Sequence, residues 1–233
     1  MAYLHTKLIR SKTLPITGSP LLLLLLVVGV LIINQCRVAP LQLESLPSSI
    51  KTLEGYASLV IKSDGRISRG KASFFLAPPG EARLDISDTL GRTVSQLLFL
   101  KSIAYFILPR EKVYWEGPEE ELFVHLFGFS LSIPEWNSLL FNQESLVDDW
   151  VVEKDASGRI WRGQKNEVAF VIKRYAGRTR LVESLVIFYP GGEVHWRLRE
   201  VYFNRPPRAG IFSLRFKERF QQKPWMEIEE YLR

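Results

Sequence analysis

From Tyr56 onward the chain repeats one pattern: a short run in which apolar and polar side chains alternate, a turn signal, and another such run. A period of two sends successive side chains to opposite faces of an extended backbone, and short runs joined by tight turns pair with their sequence neighbours as antiparallel strands. Tyr56 to Lys62 stops at Ser63-Asp64-Gly65, where glycine tolerates the positive φ of a hairpin turn. Ile67 to Leu76 stops at Pro78-Pro79-Gly80. Ala82, Leu84 and Ile86 then alternate with Arg83, Asp85 and Ser87, one dry face and one wet. Thr93 to Leu100 and Ile103 to Leu108 are more uniformly apolar, which predicts cover on both faces, and Lys112 to Glu116 places Val113 and Trp115 on one side.

The period changes at Gly117-Pro118-Glu119-Glu120-Glu121, with proline near a first helical turn and carboxylates at the positive end of the helix dipole. Leu122, Phe123, Leu126 and Phe127 recur at helical spacing up to Gly128, and a second helix from Pro134 to Phe141 presents Trp136, Leu139 and Leu140. Strands resume at Trp150 to Lys154, Ile160 to Gln164, Val168 to Arg174, Leu181 to Tyr189 and Val194 to Phe203. Roughly eleven antiparallel strands predict one large, strongly curved sheet, a mainly β fold capped by short helices. A short helix near Ser48 to Leu53, a last strand at Ile211 to Phe216 and an amphipathic helix at Trp225 to Leu232 are also expected. Phe74, Leu84, Ile86 and Leu98 take inward positions facing the Phe-, Leu- and Trp-rich helices; periodicity leaves open whether they fill a core or line a cavity.

The only cysteine, Cys36, follows thirteen almost purely apolar residues, Leu21 to Ile33, which are preceded by Lys7, Arg10 and Lys12. Spanning a bilayer takes roughly 20 helical residues, so this run fits the apolar core of a signal peptide better than a permanent anchor. Arg37 stands where signal peptidase I needs a small residue, leaving the thiol as the processing point; an uncleaved signal anchor is the alternative. The expected organisation is a lipoprotein signal peptide at 1–35, a lipidated N-terminus and tether at 36–47, and one domain at 48–233. Cys36 would carry covalent diacylglycerol and an N-acyl chain. With no second cysteine there is no intrachain disulfide, and the exported domain must be held by its core alone.

Three of the 31 basic residues and none of the 25 acidic ones lie in the signal, so the mature chain carries +3, which is not a nucleic-acid-binding charge. Charge is nevertheless segregated. Glu111 to Asp155 holds eleven acids against two lysines, whereas Lys173 to Lys223 holds twelve bases against four acids. Solvated strand faces account for such a bias, as does an approach surface for anionic lipid or an acidic partner. His125 and His195 lie on different elements without ligand-type companions, and no nucleophile elbow or phosphate loop is present, so neither an enzyme nor a metal or cofactor site is expected.

Three stretches carry a resemblance: Glu54-Gly55-Tyr56-Ala57 at the first strand, Asp88-Thr89-Leu90-Gly91-Arg92 after the third, and Leu126 to Pro134 continuing to Leu139-Leu140. With the lipidated N-terminus, their order and spacing resemble the LolB outer-membrane lipoprotein receptors and the wider LolA/LolB superfamily, from about Leu53 to Phe203. That resemblance implies an incomplete barrel with a helical lid, whose apolar interior receives lipoprotein acyl chains from a periplasmic LolA-like carrier and releases them into the outer membrane. It implies a lipid-anchored, periplasm-facing monomer in a Gram-negative envelope, with acylated lipoproteins and membrane lipid as partners. In these terms Cys36 is the anchor and Leu90 the membrane contact. Phe74, Leu84, Ile86, Leu98, Trp115, Phe123, Leu126, Phe127, Trp136 and Leu139 would line the acyl cavity. Thr89 replaces the family's usual proline, and the chain continues beyond the family's end from about residue 204. The competing expectation is the same fold with a filled core, acting as an envelope-assembly module without lipid cargo.

Overall fold

A computed structural model describes residues 39–63, 65–143 and 150–232; the segment expected to be a signal peptide and Cys36 lie outside the described residues. From Pro40 onward the chain forms one unit. Its strands are β1 (Leu53–Ser63), β2 (Arg66–Ala77), β3 (Glu81–Ser87), β4 (Thr93–Leu100), β5 (Ile103–Leu108) and β6 (Val113–Pro118), then β7 (Val151–Lys154), β8 (Ile160–Lys165), β9 (Val168–Tyr175), β10 (Val182–Tyr189), β11 (Gly192–Phe203) and β12 (Gln221–Gln222). Between β6 and β7 lie α1 (Glu119–Phe127) and α2 (Ile133–Leu140), and α3 (Trp225–Leu232) follows β12.

All twelve strands join one sheet in the order β12-β6-β5-β4-β3-β2-β1-β11-β10-β9-β8-β7. The terminal strands β12 and β7 do not pair with each other, so the sheet stays open. Every ladder is antiparallel except β12 with β6. The centre is β1 on β11, in register from Leu53 opposite Phe203 to Ser63 opposite Gly192, with a bulge at Tyr56/Ala57 that sharpens the local twist.

The inner face carries the main core. Leu53, Ala57 and Leu59 of β1, Phe74 of β2, Leu97 and Phe99 of β4, Phe106 of β5 and Trp115 of β6 are buried there against α1 and α2. Two glycines make room for rings, since a Cβ at Gly117 would overlap the Trp115 indole and one at Gly163 the Phe170 ring.

The outer face of β4–β6 carries a second core. Leu98, Tyr105, Ile107 and Tyr114 are buried beneath Phe212, Leu214, Phe216 and Phe220 of the C-terminal segment. That segment leaves β11 tied to Glu54 by Arg208 at 2.7 Å, and its Ile211 carbonyl accepts from the Arg83 guanidinium at 3.0 Å. Phe216 meets the Tyr105 and Tyr114 rings edge-on, and Lys217 bonds Glu116 at 2.7 Å while lying over the Tyr105 ring. Gln221 and Gln222 then pair with the free edge of β6, and α3 turns onto the inner side. There Trp225 packs on Phe106 and Trp115, and Ile228 is fully buried. The tail thus wraps from the outer face, around the sheet edge, to the inner core, which is one way to protect an exposed strand edge.

Three expectations need correction. Leu98 faces outward, while its neighbours Leu97 and Phe99 face in. The run Leu97-Leu98-Phe99-Leu100 has no polar partner face to set its phase, because the tail covers the other side. No helix forms at Ser48 to Leu53: the Asn204 side chain accepts from Lys51 N–H and donates to the Ser49 carbonyl, holding this stretch irregular until β1 begins. Ile211 to Phe216 is not a strand; its rings cover the sheet instead of joining it, turns lead into a 3-10 helix at Arg215–Glu218, and the last strand is the two-residue β12. Leu98 is 2% exposed, so Leu98→Ala should cost about 3 kcal/mol in chemical denaturation, a loss that a solvent-facing leucine would not produce.

Candidate functional site

Two helices lie over the inner face, and they are fastened differently. At α2, Ser132 Oγ accepts from Glu135 N–H at 3.2 Å and the Glu135 carboxylate accepts from Ser132 N–H at 2.8 Å, a complete capping box. The same carboxylate accepts from Lys165 at 2.9 Å and from Trp150 Nε1 at 3.2 Å. Burial alone would raise the Glu135 pKa, but these bonds outweigh it and hold the group below its ordinary value. Just past α2, the Asn142 amide donates to the Ile160 carbonyl at 2.7 Å and accepts from Ile160 N–H at 3.0 Å.

The start of α1 has no capping box, although Glu119 N–H donates to the Ser102 carbonyl at 3.1 Å and the Glu119 carboxylate accepts from Ile133 N–H. Its N-cap is Pro118, which offers no side-chain acceptor, and it ends at Gly128 in the left-handed region, φ +74°. Only Glu119 and Leu122 are buried on it, and burial raises the Glu119 pKa. Its remaining hold comes from side-chain packing: His125 stacks on Trp225 at 4.5 Å, Phe123 stacks on Phe99 at 5.8 Å, and Phe127 contacts Phe123, Phe129 and Tyr189.

Nine of the ten residues expected to line the interior belong to the inner cluster. Phe74, Trp115 and Leu139 are fully buried, whereas Leu84, Ile86, Phe123, Leu126, Phe127 and Trp136 are only half-buried. Leu98 is the exception, on the outer face. Leu84 and Ile86 of β3 and Ile61 of β1 are half-buried on the inner face of the sheet, as are Phe123, Leu126 and Phe127 on α1. Beside the α1–α2 connection a recess of about 200 Å³ opens, lined by Phe129, Trp150, Val168 and Pro190 among others. Sequence reasoning missed Trp196, which packs on both Phe74 and Trp136, and Tyr189, which meets Phe127 and Phe129. Their even spacing from Val194 and from Ile187 marked both as inward-facing.

Leu90 stands at the tip of the β3–β4 turn and is 78% exposed. It does not fold back as a plug. The Asp88 carboxylate accepts from Leu90 N–H at 2.9 Å, from Arg92 N–H at 3.0 Å and from the Arg92 guanidinium at 2.7 Å. Gly91, at φ +83°, donates to the Asp88 carbonyl. Asp155-Ala156-Ser157-Gly158-Arg159, between β7 and β8, repeats this network: Asp155 accepts from Ser157 N–H at 2.9 Å and Arg159 N–H at 3.0 Å. The shared D-x-x-G-R pattern is visible in the sequence as a signal for one turn type, and only the β3–β4 copy carries an apolar side chain at its third position.

No protein-family model and no curated protein sequence matches the chain. Among solved structures, a DUF1329 family protein from Desulfovibrio piger superposes with a TM-score of 0.50 at 11% identity, covering 72% of this chain and 92% of its own. A putative outer membrane lipoprotein-sorting protein domain from Vibrio parahaemolyticus gives 0.52 at 10% identity, covering 71% and 91%. A LolA superfamily protein from Nitrosomonas europaea gives 0.47 at 10% identity, covering 76% and 94%. The first two likenesses are of fold: the chain shares their architecture, here an open, mainly β sheet with helices on one face.

Two measurements follow from this geometry. Backbone amides of α1 should exchange faster than those of α2 in the intact chain, and equal protection would mean that the cap and the Glu135 bonds do not set the difference. The Asp88 carboxyl is held below its ordinary value, with hydrogen bonds from Arg92 as the largest cause. Its contribution to the turn is therefore fully present above the ordinary aspartate range and is lost as pH falls through the lower folded value. The Leu90 and Arg92 amide resonances should shift on acidification below that range, and Asp88→Ala should abolish the shift.

Proposed function

We propose that this protein is a membrane-anchored receptor of the bacterial envelope that takes acyl chains of lipoproteins beneath α1 and passes them to the outer membrane. The observation carrying this reading is the set of half-buried apolar side chains on the inner side, Leu84 and Ile86 on the sheet and Phe123, Leu126 and Phe127 on a helix without a side-chain N-cap. Each methylene withdrawn from water is worth about 0.8 kcal/mol, so acyl chains need a dry route between carrier and bilayer. A helix without side-chain caps is the element that such chains displace most readily. The resemblance to LolB supports the same reading, as does the fold shared with a putative outer membrane lipoprotein-sorting protein domain.

In this scheme Cys36 holds the domain at the receiving membrane and Leu90, presented on the Asp88-braced turn, meets its surface. The interior supplies the binding site, the direction of transfer comes from higher affinity of acyl chains for bilayer than for protein, and no nucleotide or catalyst is required. A soluble LolA-like carrier is the expected donor.

The full chain, reconstituted in vesicles, should take up an acylated peptide in preference to the same peptide without lipid. In the Leu90→Glu variant uptake should persist while transfer into the bilayer falls by about tenfold or more. Unchanged transfer would remove Leu90 from the mechanism, and equal handling of the two peptides would overturn the receptor reading.

A further inference from the structure

The C-terminal tail covers only half of the outer face. The other half, from β9 across β10 and β11 to the parts of β1 and β2 beyond the contacts of Arg208 with Glu54 and of Phe212 with Phe75, has no covering element among the described residues, and the ladders fix what it displays. One row perpendicular to the strands reads Arg174, Ser184, Arg197, Ser58, Lys71, Ser87. Cations and serines alternate strand by strand, which at the ordinary strand spacing puts Arg174, Arg197 and Lys71 about 10 Å apart in succession.

Part of this charge is anchored from below. Glu183, fully buried in the bulge of β10, bonds Arg174 and Arg197 at 3.4 Å each, and Arg199 reaches Ser58 Oγ at 3.2 Å from the adjacent bulge of β11. Three guanidinium groups thus surround one carboxylate, and the site keeps a positive surplus. Lys71 lies exposed in the same row, and Arg69 is exposed one row away on β2.

Two rows along, beyond Val186, His195, Val60 and Arg69, the face adds exposed apolar side chains. Phe188, Glu193, Lys62 and Ile67 form a row of their own, in which Lys62 and Glu193 are paired while Phe188 is 39% and Ile67 52% exposed. The cationic row ends at Ser87, where the turn bearing Leu90 begins, and Val94 on the far side of that turn is also exposed.

We infer that this uncovered half of the outer face docks on an anionic lipid surface, with the Leu90 turn at its leading edge. The cations are spread across a broad sheet face instead of converging in a concave pocket, so they match many mobile head groups better than one fixed acidic side chain. Exposed Ile67 and Phe188 beside them suit the apolar layer just beneath those head groups. The inference deepens the membrane-contact reading of Leu90, since it takes the orientation of the domain from that tip, but it gives a different group of residues the work of holding the face down.

The test is an amine footprint on the full chain in vesicles, which works whether lipid or the apolar N-terminal run holds it there. Acetylation of Lys71 by a soluble amine-reactive ester should fall at least about threefold when phosphatidylglycerol makes up about a third of a phosphatidylcholine bilayer. Lys51 and Lys101, exposed outside this face, should label equally in both vesicles. The protection should disappear at about 1 M salt, where the Debye length is about 3 Å, and in the Arg69→Glu, Arg174→Glu double variant. Equal labelling of Lys71 in neutral and anionic vesicles overturns the docking face whatever Leu90 does. Normal delivery by Leu90→Glu would remove the tip from the transfer mechanism and leave the wild-type footprint untouched. Protection of Lys71 by an added acidic protein, with none from anionic vesicles, would assign the face to a protein partner and likewise overturn the inference.

Discussion

The whole architecture depends on one unmet requirement: a twisted sheet of twelve strands that does not close leaves an apolar inner face, an apolar patch on the outer face of β4–β6 and two free edges to be covered by something else. On the inner face α1 and α2 provide the cover. On the outer face of β4–β6 the C-terminal tail does so, and the same tail occupies the β6 edge with β12 and seals the inner side with Trp225 and Ile228. Covering by separate elements, instead of by closure into a barrel, makes cover adjustable. A closed barrel would have no element comparable to α1, which can shift without breaking the sheet's ladders.

The two helices are fastened unequally. Glu135 gathers bonds from Ser132, Lys165 and Trp150, so that α2, the β8–β9 region and the start of the β7 segment are tied together at one carboxylate. The start of α1 has three acidic residues and a proline but no side-chain cap, and its inward side chains are mostly half-buried. Of the two helices, α2 is the more firmly tied to the sheet.

Much of this was legible in the sequence because period-two alternation and turn chemistry report directly on antiparallel strands with one wet face. Ala82, Leu84 and Ile86 against Arg83, Asp85 and Ser87 placed β3 correctly, and Pro118 with Glu119–Glu121 placed α1. The pattern failed where both faces were dry. Leu98 could not be phased because the residues covering it lie more than a hundred positions later, in a tail that has no strand periodicity of its own. Ser48 to Leu53 failed for a related reason, since its conformation is set by Asn204 and not by its own propensity. Leu90 and its turn were readable because the D-x-x-G-R network is local. The cation–serine row was not readable, because it exists only across ladders that bring six separate segments into register.

The pairing of β1 with β11 sets the order in which such a molecule is completed. Leu53 finds its partner in Phe203, and Lys51 its partner in Asn204, 153 residues away. Hairpins from β2 to β6 and from β7 to β11 form from local contacts, but the strand at the centre of the sheet has one edge unsatisfied until nearly the last strand has emerged, and the closing of so long a loop is slow compared with hairpin formation. A chain that emerges from its N-terminus therefore first offers two unfinished half-sheets. It becomes one domain only when the segment around residue 203 has followed, and its outer core only when the rings near residue 216 arrive.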